Sequence, residues 1–487
     1  MKPFRTLRDL HREEDGTILV FWGVSLGVLL GIVALSFDLG RVGITQTEMQ
    51  SFTDHVALAA AGELDGRTDS IDRARSAAAN FIVDRKSFGD GDSTLAGTAD
   101  YTLTFFETLP SSDLSALTDV ATDPRDAAFV RVTATASTVE MTFAAAFSAL
   151  TGASVEDRAV GATAVAGFTM FACDITPMMF CVPGPTWEAD KNRGQTVALR
   201  AGGNGAAWGP GDFGFLDVAD GVYVDPNGPC AGMKSRELDR CLLGAVGNIT
   251  QCFAKNGVDT EPGQRVGIED AAINVRFDIF SANMKKFSSN PDYAPAPNAI
   301  DGILTEGCKA ELNVVSNKDD TPLSVPLPPD DCMPGCGRFG DGNWSVGRAT
   351  YEDINYDGAN PTGLPAGATR HQYYLKEIEM HGGALSTEAL LPADNDETGR
   401  PQCAPQAAAD PDRRVIIAAG IDCIGNEIQG KAADVPVQEF VKIFLVQPGK
   451  VSGEKKFDIY GEIVGSAGGA GGGGAEAIFH DVVQLYR

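Results

Sequence analysis

The residues able to bind metals or move protons are scattered along this chain. The five histidines, His11, His55, His371, His381 and His480, form no His-Glu-x-x-His pair and stand at no zinc spacing from a cysteine pair. The best metal candidate is the run Asp353-Ile354-Asn355-Tyr356-Asp357-Gly358, in which Asp353, Asn355 and Asp357 repeat the alternating oxygens of a calcium loop and Gly358 its sharp turn. The twelfth position, where a bidentate Glu belongs, is Leu364. Two readings stand: a weak, extracellular-type calcium loop, or an Asx-rich turn whose side chains bond their own backbone. Gly340-Asp341-Gly342-Asn343 admits the same pair. Cys332-Met333-Pro334-Gly335-Cys336 has a three-residue spacer, unlike the Cys-x-x-Cys of thiol oxidoreductases, and reads as a disulfide across a Pro-Gly turn. The glycine tract Gly465 to Gly474 lacks the Gly-Lys-Ser/Thr ending of a phosphate loop and reads as a flexible insertion. The expectation is a protein that is not an enzyme and holds no cofactor, with calcium as the one open question.

The elements that would position these residues begin with a membrane segment. From Thr17 to Phe37 the chain carries no charge for 21 residues, close to the roughly 20 that an α-helix needs to cross a bilayer core. Lys2, Arg5, Arg8 and Arg12 precede it and Arg41 alone follows within twenty residues, which places the N-terminus in the cytoplasm. A cleavable secretory signal is the competing reading, against which stands the length of the apolar run. Gly23, Gly27 and Gly31 line one face of this helix and would let a second membrane helix approach closely. All ten cysteines lie between Cys173 and Cys423, so export makes disulfides the favoured reading; Cys173 with Cys181 is the first pairing to expect. A net charge of −27 argues against nucleic acid or anionic lipid as partners of the soluble surface.

Beyond the span, Met49, Phe52, Val56 and Ala59 recur at helical spacing, so the helix is predicted to continue to about Ala61. The ordered set Gly16, apolar span, Asp38, Arg41, Gln50, Asp54 and Ala57-Leu58-Ala59-Ala60-Ala61 resembles the N-terminal module of TadE/TadG-like proteins, associated with tight-adherence (Tad) Flp pilus assembly in bacteria. The resemblance is closest over residues 12 to 63. Weaker echoes are Cys173, Cys181, Trp208 to Gly214, Gly340 to Trp344 and Tyr460 to Glu462. It implies a bacterial inner-membrane protein, single pass, with a periplasmic body that works beside other pilus-assembly or envelope proteins. Two features of relatives are missing. The fifth residue after Gly16 is Phe21 where prepilin processing favours Glu, and Asp174-Ile175-Thr176-Pro177-Met178 lacks both serines of a von Willebrand A metal site.

The fold class expected is α+β: one N-terminal transmembrane helix, a small membrane-proximal α+β domain, and a larger, mainly β, loop-rich domain bearing disulfides. The boundaries are a cytoplasmic basic tail at 1–16, the span at 17–37, the proximal domain at 38–167 and the cysteine-bearing domain at 168–487. In the proximal domain Ser70 is expected to cap a second helix carrying Ile71, Ala74 and Ala78, and residues 101–107, 128–140 and 158–166 to form strands around a short helix at 141–150. Further on, 196–200, 266–280, 415–420 and 477–485 read as strands, with 291–297 and 321–331 as exposed connections. The function expected is a membrane-anchored structural and interaction component of pilus assembly; the alternative is an exported adhesin or calcium-stabilised ligand-binding surface protein.

Overall fold

The structure is a computed structural model that describes residues 17–90, 93–96, 98–110, 112, 114–152, 154, 156–173, 175–203, 205–217, 229–234, 236–246, 252–254, 257–263, 269–305, 312–314, 323–393, 395, 397–451, 457–469 and 479–486. The basic tail, Cys308 and most of the glycine tract lie outside the described residues. Two compact units emerge: one runs to Phe168 and regains the chain from Val483, the other is Thr169–Val482.

In the first unit, α1 (Thr17–Ala61) is a single 45-residue helix, about 68 Å long at 1.5 Å per residue. Its first half is exposed on every side, whereas Asp38, Thr45, Met49, Phe52, Val56 and Ala60 form a buried stripe at three-, four- or seven-residue spacing. Helix α2 (Ser70–Phe81) buries Ile71, Ala74 and Ala78. The cap expected from Ser70 is corrected: Asp69 holds the N-cap position, and the Ser70 hydroxyl donates to the Pro124 carbonyl at 2.6 Å. After a hairpin of β1 (Val83–Lys86) and β2 (Ser93–Ala96), the strands β3 (Tyr101–Phe106) and β4 (Phe129–Ala134) pair antiparallel, with Val130 and Val132 turned inward by the two-residue period. The short β5 (Ser137–Val139) leads into α3 (Thr142–Thr151), β6 (Arg158–Val160) returns to pair with β5, and β7 (Thr163–Cys173) lies against β4. The chain end rejoins this sheet, Tyr486 donating its N–H to Val165 and setting its ring edge-on to Phe129.

The second unit is built on β8 (Met178–Cys181), β9 (Thr196–Ala201), β10 (Asp212–Leu216), β11 (Cys252–Ala254), β12 (Val258–Pro262), β13 (Ile303–Thr305), β14 (Leu312–Val314), β15 (Val415–Ile421), β16 (Ala432–Val435), β17 (Glu439–Leu445), β18 (Lys450–Val451) and β19 (Phe457–Gly469). Hydrogen bonding runs β10–β8–β15–β17–β19, and β9 pairs with both β19 and β10. The six strands therefore close into a barrel, which leaves those pairings without an open edge. Its interior is filled by alternate residues of all six: Phe180, Val197, Leu199, Phe213, Ile416, Val441, Ile443 and Ile459 belong to one buried cluster. Outside, α6 (Ser345–Tyr356) and α7 (Arg370–Met380) lay tyrosines on Phe444 and Val446; α4 (Arg236–Gly244) gives Cys241 and Leu242 to a further cluster, and its Leu243 joins Ala272 and Ile273 of α5 (Glu269–Asn274) in the cluster of the barrel interior.

Several expectations for this unit are corrected. Residues 269–277 are helical rather than a strand: Ala272 to Phe277 are all buried, the polar Asn274 and Arg276 included, so polarity along the segment does not report which side faces the core. The segment 291–297 is a covered one from Tyr293, whose ring stacks on Phe287 at 4.5 Å, and Ser324, Leu327 and Asp330 are likewise buried. Gly465 to Gly469 continue strand β19. Cys181 bonds Cys423, 242 residues away, and not Cys173, whose backbone faces Cys252 across β7 and β11. Cys230–Cys241 and the expected Cys332–Cys336 are the other disulfides among the described residues.

The barrel's helical layer encloses a carboxylate. Glu377 on α7 accepts hydrogen bonds from Tyr351 and Tyr356 of α6 and from Asn298, at 2.8, 2.6 and 2.8 Å. Burial disfavours its charge more than these donors favour it, and its pKa is pushed up to about 7. A carboxyl whose folded pKa is raised stabilises the fold in its protonated form, below about pH 4.5, and that contribution is lost as pH rises through about 7. Between an unfolded carboxyl and this one, the loss amounts to about 3 kcal/mol. Glu377→Gln keeps the shape and stays neutral, so thermal melts of the full chain in detergent between pH 4.5 and 8 are expected to show a flatter decline than wild type; equal slopes would contradict this role.

Candidate functional site

The site that organises the first unit lies where α1 stops being wholly exposed. Helix α3 begins at Met141, Thr142 and Phe143 with no side-chain cap of its own, so its first N–H groups need partners from elsewhere. Asp38 supplies them from α1: its two carboxylate oxygens accept from Phe143 N at 3.2 Å and Ala144 N at 2.6 Å. The Asp38 side chain is fully buried, and its negative charge faces the positive end of the α3 dipole. One turn on, Arg41 donates to the Glu140 carbonyl at 3.1 Å and the Thr142 hydroxyl at 2.6 Å, and its guanidinium stands 3.8 Å from Asp38. The pair thus holds the α3 N-terminus from both sides.

The same face of α1 grips the strands further along. Gln46 donates to the Gly161 carbonyl at 3.0 Å, Gln50 to Asp54 at 2.8 Å and to the Thr163 carbonyl at 3.3 Å, and Glu48 accepts from the N–H and hydroxyl of Ser87. Of the pattern Asp38, Arg41, Gln50 and Asp54, the first three are therefore polar contacts by which α1 holds α3 and the start of β7, and Asp54 holds the Gln50 amide. Their role toward α3 was not read from the sequence, yet a signal exists: a helix starting at Met-Thr-Phe-Ala without a Ser, Asp or Asn N-cap asks for an outside acceptor.

The glycines of the span differ among themselves. A β-carbon at Gly31 would meet the Phe147 ring of α3 at 3.0 Å, while Gly23 and Gly27 have nothing within 4 Å. Ser25 between them matches a nucleophile-elbow spacing but sits mid-helix in the exposed span, with none of the strand-to-helix turn that such a serine requires.

In the second unit Asp353, Asn355 and Asp357 are not brought together around one point. They fall on the last turn and C-cap of α6, where successive residues are turned by about 100°. Asn355 is buried, bonding both the N–H and the carbonyl of Val325, and Asp353 and Asp357 face solvent. Asp357 takes a left-handed conformation (φ 52°), so the run serves as a helix end. Among the described residues no group of three or more His, Cys, Asp or Glu could hold a metal. The Gly340–Asn343 segment bonds itself, Asp341 accepting from Asn343 N and Asn343 from Ser345 N.

Two of the weaker sequence echoes do converge. Trp344 and Glu462 both meet the buried Arg370, whose guanidinium lies 5.0 Å from the Trp344 ring and pairs with Glu462 and Asp330. Glu462 also accepts the N–H groups of Arg370 and His371, seating α7, and the capping box Thr369 to Gln372 was a legible sign of that helix. The arrangement is a filled, mutually satisfied core cluster.

With this geometry in view, comparison with known proteins matches residues 16–63 to the family model described as putative Flp pilus-assembly TadE/G-like. No curated protein and no solved structure matches the chain. The matched stretch is α1 with the residue before it and the turn after it, so it includes the whole apolar span together with Asp38, Arg41, Gln50 and Asp54. Over this stretch the chain is similar to the pilus-assembly family model, on a helix long and apolar enough to cross a membrane.

Asp38→Ala leaves two amides of α3 without acceptors and is expected to cost about 1–2 kcal/mol, as for lost N-caps. Hydrogen exchange on the full chain in nanodiscs checks this: amides of residues 143–148 should exchange faster, with β15 and β17 unchanged. Unaltered protection of 143–148 would show that Asp38 does not hold α3.

Proposed function

We propose that this chain is a membrane-anchored structural and interaction component of Tad (Flp) pilus assembly. Its basic tail lies in the cytoplasm, α1 crosses the bacterial inner membrane, and the chain from Asp38 onward stands in the periplasm. It acts by holding and recruiting other envelope proteins, without catalysis. The observation that carries this reading is the match over residues 16–63 to a pilus-assembly family, on a helix that changes at Asp38 from an exposed apolar rod to a clamp.

Three further features support it. The Lys and Arg excess before the span favours a cytoplasmic N-terminus. The disulfides Cys181–Cys423, Cys230–Cys241 and Cys332–Cys336 fit an oxidising compartment for the second unit. The open surroundings of Gly23 and Gly27 leave room for a second membrane helix to approach the backbone. Glu377, whose raised pKa would otherwise draw attention as an acid–base group, is sealed by Tyr351, Tyr356 and Asn298, which favours a packing origin for the shift.

The test is genetic. Deleting the gene in its source bacterium is expected to abolish or sharply reduce surface filaments seen by electron microscopy, and the full chain to restore them. A chain with residues 1–37 replaced by a cleavable secretory signal should not restore them. Normal filaments in the deletion strain would overturn the proposal.

A further inference from the structure

Helix α3 has the surface of a membrane element although it lies outside the predicted span. From Thr142 to Val155 the chain carries no charge for 14 residues, while Glu140 precedes the run and Glu156 and Asp157 follow it. The loop is closed at its base, Asp157 accepting from Met141 N at 3.0 Å. Along the helix Ala145, Ala146 and Ala149 are exposed, and Phe143 is exposed beyond its contact with α1, which gives an apolar side open among the described residues. Its packing on α1 fixes its level. Phe143 stacks on Phe37 at 5.4 Å, at the last residue of the apolar span, and Phe147 lies against Gly31. Helix α3 thus descends from Asp38 alongside the final turns of the span.

We infer that α3 is a second membrane contact: a short helix seated in the leaflet on the Asp38 side of the bilayer, its exposed face covered by lipid acyl chains. The six helical steps from Gly31 to Phe37 rise about 9 Å, within the roughly 5–10 Å to which interfacial helices enter a bilayer. Leu30, Ile32, Val33 and Leu35 of α1 are exposed at the same level, so α3 broadens one continuous apolar surface. Asp38 and Arg41 sit above it, where the α3 N-terminus meets water and headgroups. The polar ends of the helix are provided for: Asp38 takes its first amides, Gly152 N closes on the Ser148 carbonyl, and the Ser148 hydroxyl bonds the Ala145 carbonyl. The contact makes α1 a wedge with a foot, which resists tilt of the anchor.

This inference rests on α1 being a membrane anchor, and the experiment separates the two. The full chain is reconstituted in liposomes containing a phospholipid with a diazirine in its acyl chain, illuminated, and mapped by mass spectrometry after trypsin. Cleavage at Arg12, Arg41, Arg131 and Arg158 places the span and α3 on separate peptides. Label on both peptides, within 143–149 on the second, is expected. Ala146→Asp puts a charge on the exposed face and should cut label on the α3 peptide about tenfold, leaving the span peptide unchanged. Label on the span peptide with none on 143–149 overturns the inference and leaves the anchor standing; absence of label from both overturns the anchor and the inference together.

Discussion

A carboxylate taken out of water has to be met by several donors, and at Asp38 those donors are the first amides of α3. The exchange solves two problems at once, because the start of a helix leaves N–H groups without partners. The same solution recurs through the chain. Glu462 accepts the first amides of α7, Asp278 accepts three successive amides from Gln402 to Ala404, and Glu397 accepts those of Asp301 and Gly302. Part of the acidic excess of this protein is therefore internal framework. It joins elements far apart in sequence, each by a bond to the backbone that any side chain at the receiving position can accommodate.

In the first unit this interaction lets one helix do two jobs. The apolar half of α1 presents side chains outward on all sides, and the half beyond Asp38 buries a stripe and bonds its polar residues to α3, β7 and the turn at Ser87. No hinge residue interrupts the helix at the change. The matched family segment ends just where this grip ends, near Ala61. The second unit achieves rigidity differently, by closing β9 onto both β10 and β19 and crossing the barrel's outer side with Cys181–Cys423.

Much of the first unit was legible because its patterns are local. Twenty-one uncharged residues followed by a helical stripe define α1, and the alternation in Phe129–Ala134 defines β4. The second unit was read as mainly β and loop-rich, with α6 and α7 unseen. Apart from Ile378, their buried residues are Arg348, Tyr351, Asn355, Tyr356, Arg370, Tyr373, Tyr374 and Glu377, types that an aliphatic periodicity does not register. Barrel closure depends on pairs such as Arg200 with Asp458, which are joined by register and by a 2.7 Å ion pair across 258 residues, and nothing local announces them. The calcium-like run showed the opposite hazard: a sequence that spells a loop was drawn into a helix end because Asn355 bonds Val325.

In the proposed arrangement α1 stays in the inner membrane and the rest of the chain is exported. Spheroplasts expressing the full chain, tagged at both ends and treated with protease, test it most directly. The chain is expected to fractionate with the inner membrane, its C-terminal tag to be digested from outside, and its N-terminal tag to survive until the cells are lysed. Recovery of the body as a soluble species lacking its first 36 or so residues would mean that the span is a removable signal, and would contradict it.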